Sequence, residues 1–255
     1  MNNMKNYETI LFDLYGTLVD IHTDEGMKSL WRKTAEFYKD MGAEYSAGEL
    51  KEEYFRLVTL HEKEMSVGAS DPHEAHPEIE LSEVFRELYI NRGVKEVPDE
   101  LIFETALVFR KASTTHIKLY AGVRELLQAL RKAGKRVILL SNAQRIFTVP
   151  ELKELGIYDR FDDIFISSDH GCKKPDKRFF MKPVHKYSLD PADCLMIGND
   201  GVCDIKGAIN SGMDAYYIHS ALSPKPCPAA DQLGIPEERF QNSMDIRELG
   251  RRILR

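Results

Sequence analysis

The chain has 255 residues, the length of about one or two domains. Its 35 Lys and Arg stand against 41 Asp and Glu, and a formal charge of −6 argues against general nucleic-acid binding, which needs a basic face. Apolar residues at 43% and charged residues at 30% exclude a disordered or fibrous chain and leave enough apolar side chain for a sizeable core.

The N-terminal stretch Met1 to Thr9 is polar and lacks the apolar centre of a signal peptide. Ile10-Leu11-Phe12 is a short apolar run that stops at Asp13 and turns at Gly16-Thr17, a buried strand entering a turn. From about Thr23 to Thr114 the apolar residues recur at spacings of three and four. Leu30, Trp31, Ala35 and Tyr38 show it first, then Leu50, Tyr54, Leu57 and Val58. Asp71-Pro72 and His76-Pro77 interrupt this segment, and it continues through Leu81, Phe85, Leu88 and Phe109 without a convincing strand. It therefore predicts a bundle of about four helices, with Tyr54, Phe55 and Tyr89 in its core.

After Tyr120 the pattern changes. A helix through Val123 to Leu130 ends at Gly134, and Val137 to Leu140 is a strand that stops at Ser141-Asn142. A helix from about Pro150 to Leu155, a strand Ile164 to Ile166 and a helix around Arg178 to Lys186 follow. Strand Cys194 to Ile197 then ends at Gly198-Asn199-Asp200. Helix Asp204 to Asn210 and a last strand, Ala215 to Ile218, complete the series. Short apolar strands alternating with helices predict a parallel sheet covered on both faces, interrupted after its first strand by the helical insert. No apolar run approaches the ~20 residues of a membrane helix. Cys172, Cys194, Cys203 and Cys227 have neither C-x-x-C nor zinc-ligand spacing, so they read as reduced thiols of a cytoplasmic protein.

In an open α/β sheet the site lies at the carboxyl ends of the strands. Four such ends carry chemically capable residues: Asp13, Ser141-Asn142, the turn with Lys174, and Asp200. Each alone is an ordinary turn or cap residue. In this order, together, they are specific.

Phe12-Asp13-Leu14-Tyr15-Gly16-Thr17-Leu18 resembles the first motif of the haloacid dehalogenase superfamily. Leu140-Ser141-Asn142, Lys174-Pro175-Asp176 and Ile197-Gly198-Asn199-Asp200-Gly201-Val202-Cys203-Asp204 resemble its second, third and fourth. The likeness runs from Asp13 to about Gly212. It implies a Rossmann-like parallel-sheet α/β core, residues 1–20 and 115–255, with an inserted α-helical bundle as cap, residues 21–114.

The residue chemistry points the same way. A carboxylate such as Asp13 can attack phosphorus or an activated carbon and form a covalent intermediate that water resolves. Lys174 can supply the compensating charge and orient it. The Ser141 hydroxyl and the amides near Asn142, with Gly16 and Thr17, would bind the substrate's anionic oxygens. Asp13 and Asp200 make a hard oxygen site suited to Mg²⁺; in related phosphatases the carbonyl two residues after the nucleophile completes it, here that of Tyr15. Asp204 would back the metal or cap the following helix, and Lys173 would be a solvated surface charge.

Two departures pull apart. Most phosphatases of this superfamily carry Asp where this chain has Tyr15, and a phenol of ordinary pKa near 10 is a poor general base near neutrality. The D-x-Y-G-T form is the one seen in 2-haloacid dehalogenases, which work without metal. Their halide-holding Arg has its nearest counterpart here in Arg32, more simply a solvated helix charge. Against that, Asp200 adds a carboxylate that would repel a haloacid unless Mg²⁺ is bound.

The preferred expectation is a Mg²⁺-dependent phosphohydrolase acting on a small phosphorylated metabolite, in which Asp13, Tyr15, Ser141 and Lys174 are catalytic, with no nucleic-acid or membrane partner. The missing acid would suit good leaving groups such as acyl phosphates, phosphoanhydrides and aryl phosphates. The alternatives are a metal-independent 2-haloacid dehalogenase, phosphotransfer, C–P cleavage, or a non-catalytic binding module on the same fold. Within the cap, His73, Glu74, His76 and Glu78, with Arg56, His61 and Glu62, are candidates to face the site and select substrate.

Overall fold

The computed structural model describes residues 5–66, 76–225, 229–236, 240–243 and 245–254. In it the apolar run Thr9–Phe12 forms β1, buried along its whole length. The chain then makes β2 (Val19–Thr23) and, among the described residues, four helices: α1 (Lys28–Asp40), α2 (Ala47–Ser66), α3 (Leu81–Ile90) and α4 (Asp99–Ser113). It returns through β3 (Thr114–Leu119). There follow α5 (Val123–Lys132), β4 (Arg136–Ser141), α6 (Arg145–Glu154), β5 (Asp163–Ile166), α7 (Lys177–Tyr187) and β6 (Cys194–Gly198). A π-helical turn, Gly201–Lys206, runs into α8 (Gly207–Asn210), and β7 (Asp214–Ile218), α9 (Ala230–Leu233), β8 (Phe240–Ser243) and α10 (Ile246–Ile253) close the order.

The main sheet has strand order β5-β4-β1-β6-β7-β8, and every neighbouring pair is parallel. A parallel strand covered on both faces is apolar throughout, which explains the continuous runs in the sequence. Successive residues alternate between two cores. Ile10, Phe12, Val137, Leu139, Leu195 and Ile197 face Leu126, Leu130 and Leu249, which come from α5 and α10. Leu11, Ile138, Leu140 and Met196 face Phe179 and Phe180 of α7. Because β1 lies between β4 and β6, the chain leaves it toward opposite sides of the sheet. The crevice this opens lies at the carboxyl ends of these three strands.

The four inserted helices share an aromatic core of Trp31, Tyr38, Tyr54, Phe85, Tyr89 and Phe109. Tyr38 and Tyr89 stack with ring centroids 4.2 Å apart, and the Tyr38 hydroxyl donates to the Phe85 carbonyl at 3.0 Å. Phe147, from α6, belongs to the same cluster, so the insert is packed directly on the sheet's own helices.

Several elements differ from expectation. The stretch predicted as helical from Thr23 is flanked by β2 and β3, an antiparallel ribbon pairing Ile21 with Ile117 and His22 with His116. Each strand is short and only weakly alternating, and its partner lies about a hundred residues away, so neither shows a strand signal by itself. Ala215–Ile218 is not the last strand: the polar segment Phe-Gln-Asn-Ser of β8 adds a parallel edge beside β7. Helix α6 begins at Arg145 and contains Pro150 instead of starting there. The predicted helix from Asp204 is the π-helical turn continued by α8. Tyr54 and Tyr89 are core residues as expected, but Phe55 is 40% exposed and turns toward a cavity described below. Asp71-Pro72, His73, Glu74 and Cys227 lie outside the described residues.

Candidate active site

Asp13 follows β1 and still extends the ladder, its amide donating to the Ile197 carbonyl at 2.9 Å. Its side chain is buried, and three side chains meet it. Lys174 Nζ donates to Asp13 Oδ1 at 2.8 Å, Ser141 Oγ donates to the same oxygen at 3.2 Å, and Thr17 Oγ1 lies 3.3 Å from Oδ2. The turn that brings Thr17 back needs Gly16: its φ is +84°, and a Cβ there would stand 2.2 Å from Asn199 Nδ2.

Lys174 is only 2% exposed and touches a second carboxylate, Asp204 Oδ1, at 2.6 Å. Burial opposes its charge, but the carboxylates of Asp13 and Asp204 outweigh it and raise its pKa, so the ammonium persists. Burial raises the Asp204 carboxyl above its ordinary range, and Lys174 offsets this only in part. The loop of Lys174 is fixed by Asn142, whose Nδ2 donates to the Lys174 carbonyl at 2.9 Å while its Oδ1 accepts from the Lys174 amide at 2.8 Å. Asp204 reaches this position over Gly198, where a Cβ would stand 2.2 Å from its carboxylate.

Of the two roles open to Asp204, capping goes to Asp200 instead. Asp200 Oδ1 accepts from the amides of Val202 and Cys203, both at 2.8 Å, while Asp204 is spent on Lys174 and on the Asp200 amide at 2.9 Å. Asp13, Tyr15, Asn142, Lys174, Asn199 and Asp200 line one cavity of about 220 Å³. Cys203 lines it too, but burial, with the charges of Asp200 and Asp204, pushes its thiol up to about 12, which makes it a poor nucleophile.

Gly16, Thr17 and Ser141 do not line this cavity. They are buried, and their contacts run to Asp13 and Asn199. The Tyr15 side chain points away from this cavity's polar groups to α6. Its hydroxyl bonds Glu151 and, at 3.1 Å, Thr148, and burial followed by the Glu151 charge raises its pKa far above the ordinary range. The phenol is therefore no proton source, and what Tyr15 can offer a metal is its carbonyl.

Among the described residues no group of three or more His, Cys, Asp or Glu side chains is arranged to hold a metal ion. Mg²⁺ does not need one: it takes one or two carboxylates and completes its shell with waters and substrate oxygens. Asp13 and Asp200 bring two carboxylates to the cavity while the Lys174 ammonium is shared between Asp13 and Asp204, a donor set that fits a dication.

A second cavity of about 300 Å³ adjoins the first at Asn142 and lies between it and the insert, lined by Glu25, Tyr54, Phe55, Glu62, Glu78 and Gln144. Glu62 and Glu78 thus face the region where sequence placed substrate selection. Arg56 and His61 do not: they pair with Glu53 at 2.7 Å and with Glu87 at 3.0 Å. The main chain of His76 accepts from the Lys173 amide at 2.9 Å, and the Lys173 ammonium lies 3.9 Å from Glu78. Arg32 is exposed on α1.

Sequence reasoning passed over Arg110, Thr148 and Glu151. The available signal was a carboxylate on an apolar stripe: Phe147, Thr148, Glu151 and Leu152 form the buried face of α6.

A family model described as haloacid dehalogenase-like hydrolase matches residues 7–212. The chain is 28% identical over 120 residues to the glyceraldehyde 3-phosphate phosphatase of Methanothermobacter thermautotrophicus, a match covering 47% of this chain and 53% of that protein. The chain spans about half the length of the curated relatives it matches. Among solved structures it resembles a HAD phosphatase from Thermococcus onnurineus, with TM-score 0.58 at 16% identity and 96% of each chain covered. It equally resembles the 2-haloacid dehalogenase of Pseudomonas syringae pv. Tomato, with TM-score 0.59 at 18% identity over 97% of this chain and 98% of that one. At such identities both likenesses speak to the fold alone. No helix among the described residues is long and apolar enough to cross a membrane.

Proposed function

The chain belongs to the haloacid dehalogenase-like hydrolases, and from that premise we propose that it is a Mg²⁺-dependent phosphohydrolase of small phosphorylated metabolites with Asp13 as nucleophile. The observation that carries this reading is the charge around the cavity. Lys174 is shared between Asp13 and Asp204, so it cannot also neutralise Asp200. A haloacid carboxylate entering there without a dication would meet net repulsion.

In this mechanism Asp13 Oδ1 is held by Lys174 and Ser141, which leaves Oδ2, with only the long Thr17 contact, to attack phosphorus. The new Oδ2–P bond forms as the P–O bond to the leaving group breaks, and the electron pair departs on that oxygen. Water then attacks phosphorus of the aspartyl phosphate, inorganic phosphate leaves, and the carboxylate is restored. Lys174 holds Asp13 in its ionised form and draws charge from the attacked group. Mg²⁺, held by Asp13, Asp200 and the Tyr15 carbonyl, would supply Lewis-acid charge stabilisation at the phosphoryl oxygens.

With the Tyr15 hydroxyl bound to Glu151, the residue two after Asp13 offers no proton to the departing oxygen. The substrates that fit are those whose leaving group needs no proton: acyl phosphates, phosphoanhydrides and aryl phosphates. The same observation favours the second reading, a metal-independent 2-haloacid dehalogenase, since halide also leaves unprotonated. Residues 21–114 would act as the cap over a core of residues 1–20 and 115–255, with Glu62 and Glu78 bearing on the far end of the substrate. We place its action in the cytoplasm, where Cys172, Cys194 and Cys203 stay reduced.

The deciding experiment offers the purified protein these three phosphate classes and 2-haloacids, each with Mg²⁺ and with EDTA. Phosphate release that requires Mg²⁺ is expected. Halide release in EDTA would overturn the reading in favour of the dehalogenase, and inactivity with tight ligand binding would favour a non-catalytic module.

A further inference from the structure

Tyr15 stands two residues after Asp13, and its side chain is the first link of a buried chain of contacts that leaves the site. Its hydroxyl donates to Glu151, and Thr148 Oγ1 lies 3.1 Å away, both on α6. Glu151 in turn accepts from the inserted helices: Arg110 Nε, in the last turn of α4, donates to Glu151 Oε1 at 2.6 Å. The side chains of Arg110 and Glu151 are 19% and 9% exposed. The guanidinium lies 5.7 Å from the centroid of the Tyr15 ring and 5.0 Å from that of Phe147. Phe147, one turn before Glu151, stacks on Phe109 of α4, with ring planes 9° apart and centroids separated by 6.2 Å.

We propose that Arg110 and Glu151 are positioning residues for the reaction: Arg110 fixes Glu151, Glu151 fixes Tyr15, and Tyr15 holds the main chain beside Asp13 in its working position. The inference rests on Asp13 being the nucleophile. A Leu at 151 and a Phe at 15 would fill similar volume without desolvating a carboxylate, so packing alone does not call for this arrangement. What the charged and hydroxyl groups add is direction. The guanidinium fork sets the Glu151 carboxylate, and that carboxylate accepts from one phenol in one place.

The loop so anchored is tight. The Gly16 amide donates to the Val19 carbonyl at 2.8 Å, and the amides of Leu18 and Val19 donate to the Leu14 carbonyl at 2.8 and 2.9 Å. A shift of the Tyr15 ring would therefore be felt at Asp13 and at the Tyr15 carbonyl together. Because Arg110 comes from the insert, the same contacts make the nucleophile loop sensitive to where α4 sits.

The test uses the full chain and the variants Arg110→Met, Glu151→Leu and Tyr15→Phe, singly and in pairs. Amide hydrogen exchange is read without substrate, and hydrolysis of 4-nitrophenyl phosphate is read with Mg²⁺. In Glu151→Leu the amides of Gly16, Leu18 and Val19 should exchange about tenfold faster while those of β6 hold within about twofold, because the opening is local. kcat should fall roughly ten- to a hundredfold with KM within about threefold, the cost of a misplaced reacting group. Arg110→Met or Tyr15→Phe added to Glu151→Leu should lower kcat no further, since the three act as a unit. Arg110→Met/Glu151→Leu, which carries no stranded charge, should regain the wild-type melting temperature yet stay slow, which a merely structural pair would not do.

Unchanged exchange at residues 16–19 would overturn the proposal, as would losses that multiply across the three positions or a rise in KM at constant kcat. A wild-type protein inert toward the ester would remove aryl phosphates from the proposed substrates, while the exchange data would still decide the positioning.

Discussion

Lys174→Met removes a buried cation from between two carboxylates, and the loss should appear in stability before any turnover is measured. At an effective dielectric near 20, unit charges at the observed 2.8 and 2.6 Å attract by about 6 kcal/mol each. Desolvating three charges costs several kcal/mol per ion, so the assembled group contributes little net. Taking away only the ammonium leaves the carboxylate penalties uncompensated, and the variant should lose about 3–5 kcal/mol. With a urea slope of about 3 kcal/mol per M, the unfolding midpoint should drop by roughly 1–2 M. The assay is urea denaturation followed by circular dichroism in EDTA, with Lys174→Met, Asp204→Asn and the double variant side by side. Removing both partners should cost clearly less than the sum of the single losses, with a coupling of at least about 2 kcal/mol. A single-variant loss under about 1 kcal/mol, or strictly additive effects, would refute the shared buried pair and with it the charge balance on which the metal assignment rests.

Asp13→Asn keeps the shape of the loop and removes the attacking charge, so phosphate release should fall below about a hundredth of wild type; retention of a tenth or more would rule out covalent catalysis by this residue. Asp200→Asn keeps an oxygen able to accept from the Val202 and Cys203 amides, so thermal stability should change little while the Mg²⁺ concentration for half-maximal activity rises at least about tenfold. An unchanged Mg²⁺ requirement would remove Asp200 from the metal site. Burial raises the pKa of Glu78 above its ordinary 4.5, only partly offset by Lys173. The folded chain therefore binds this proton more readily than the unfolded one. Its stabilising contribution is full below pH 4.5 and is lost as pH rises through the folded pKa. Glu78→Gln should accordingly gain in melting temperature relative to wild type between pH 4 and 7, and a constant difference across that range would refute the burial argument.

The parallel sheet and the polar residues at its strand ends were legible in the sequence because both are local signals. Ile10-Leu11-Phe12, Val137 to Leu140 and Cys194 to Ile197 are continuous apolar runs, and a parallel strand covered on both faces needs nothing else. Asp13, Ser141, Lys174 and Asp200 stood out because each follows such a run or sits in the turn before a helix, where polar residues gather for a reason visible within a few positions. The four-helix insert was legible from its 3.6-residue period. The ribbon of β2 and β3 and the edge strand β8 were not, since their pairing partners lie far along the chain and their own residues carry weak alternation.

Within the site, sequence set which groups could act, and tertiary structure decided which of them meet. Asp204 could have capped a helix, but the bare Gly198 backbone lets it reach Lys174, and Asp200 takes the cap. Tyr15 read as a missing acid; the fold turns its hydroxyl to Glu151 and, through Glu151, to Arg110 on an inserted helix. Spacing along the chain could not disclose these pairings. A buried charge takes whichever partner the packed sheet and insert bring within about 3 Å, and that proximity is fixed by the burial of apolar faces far from the charges themselves.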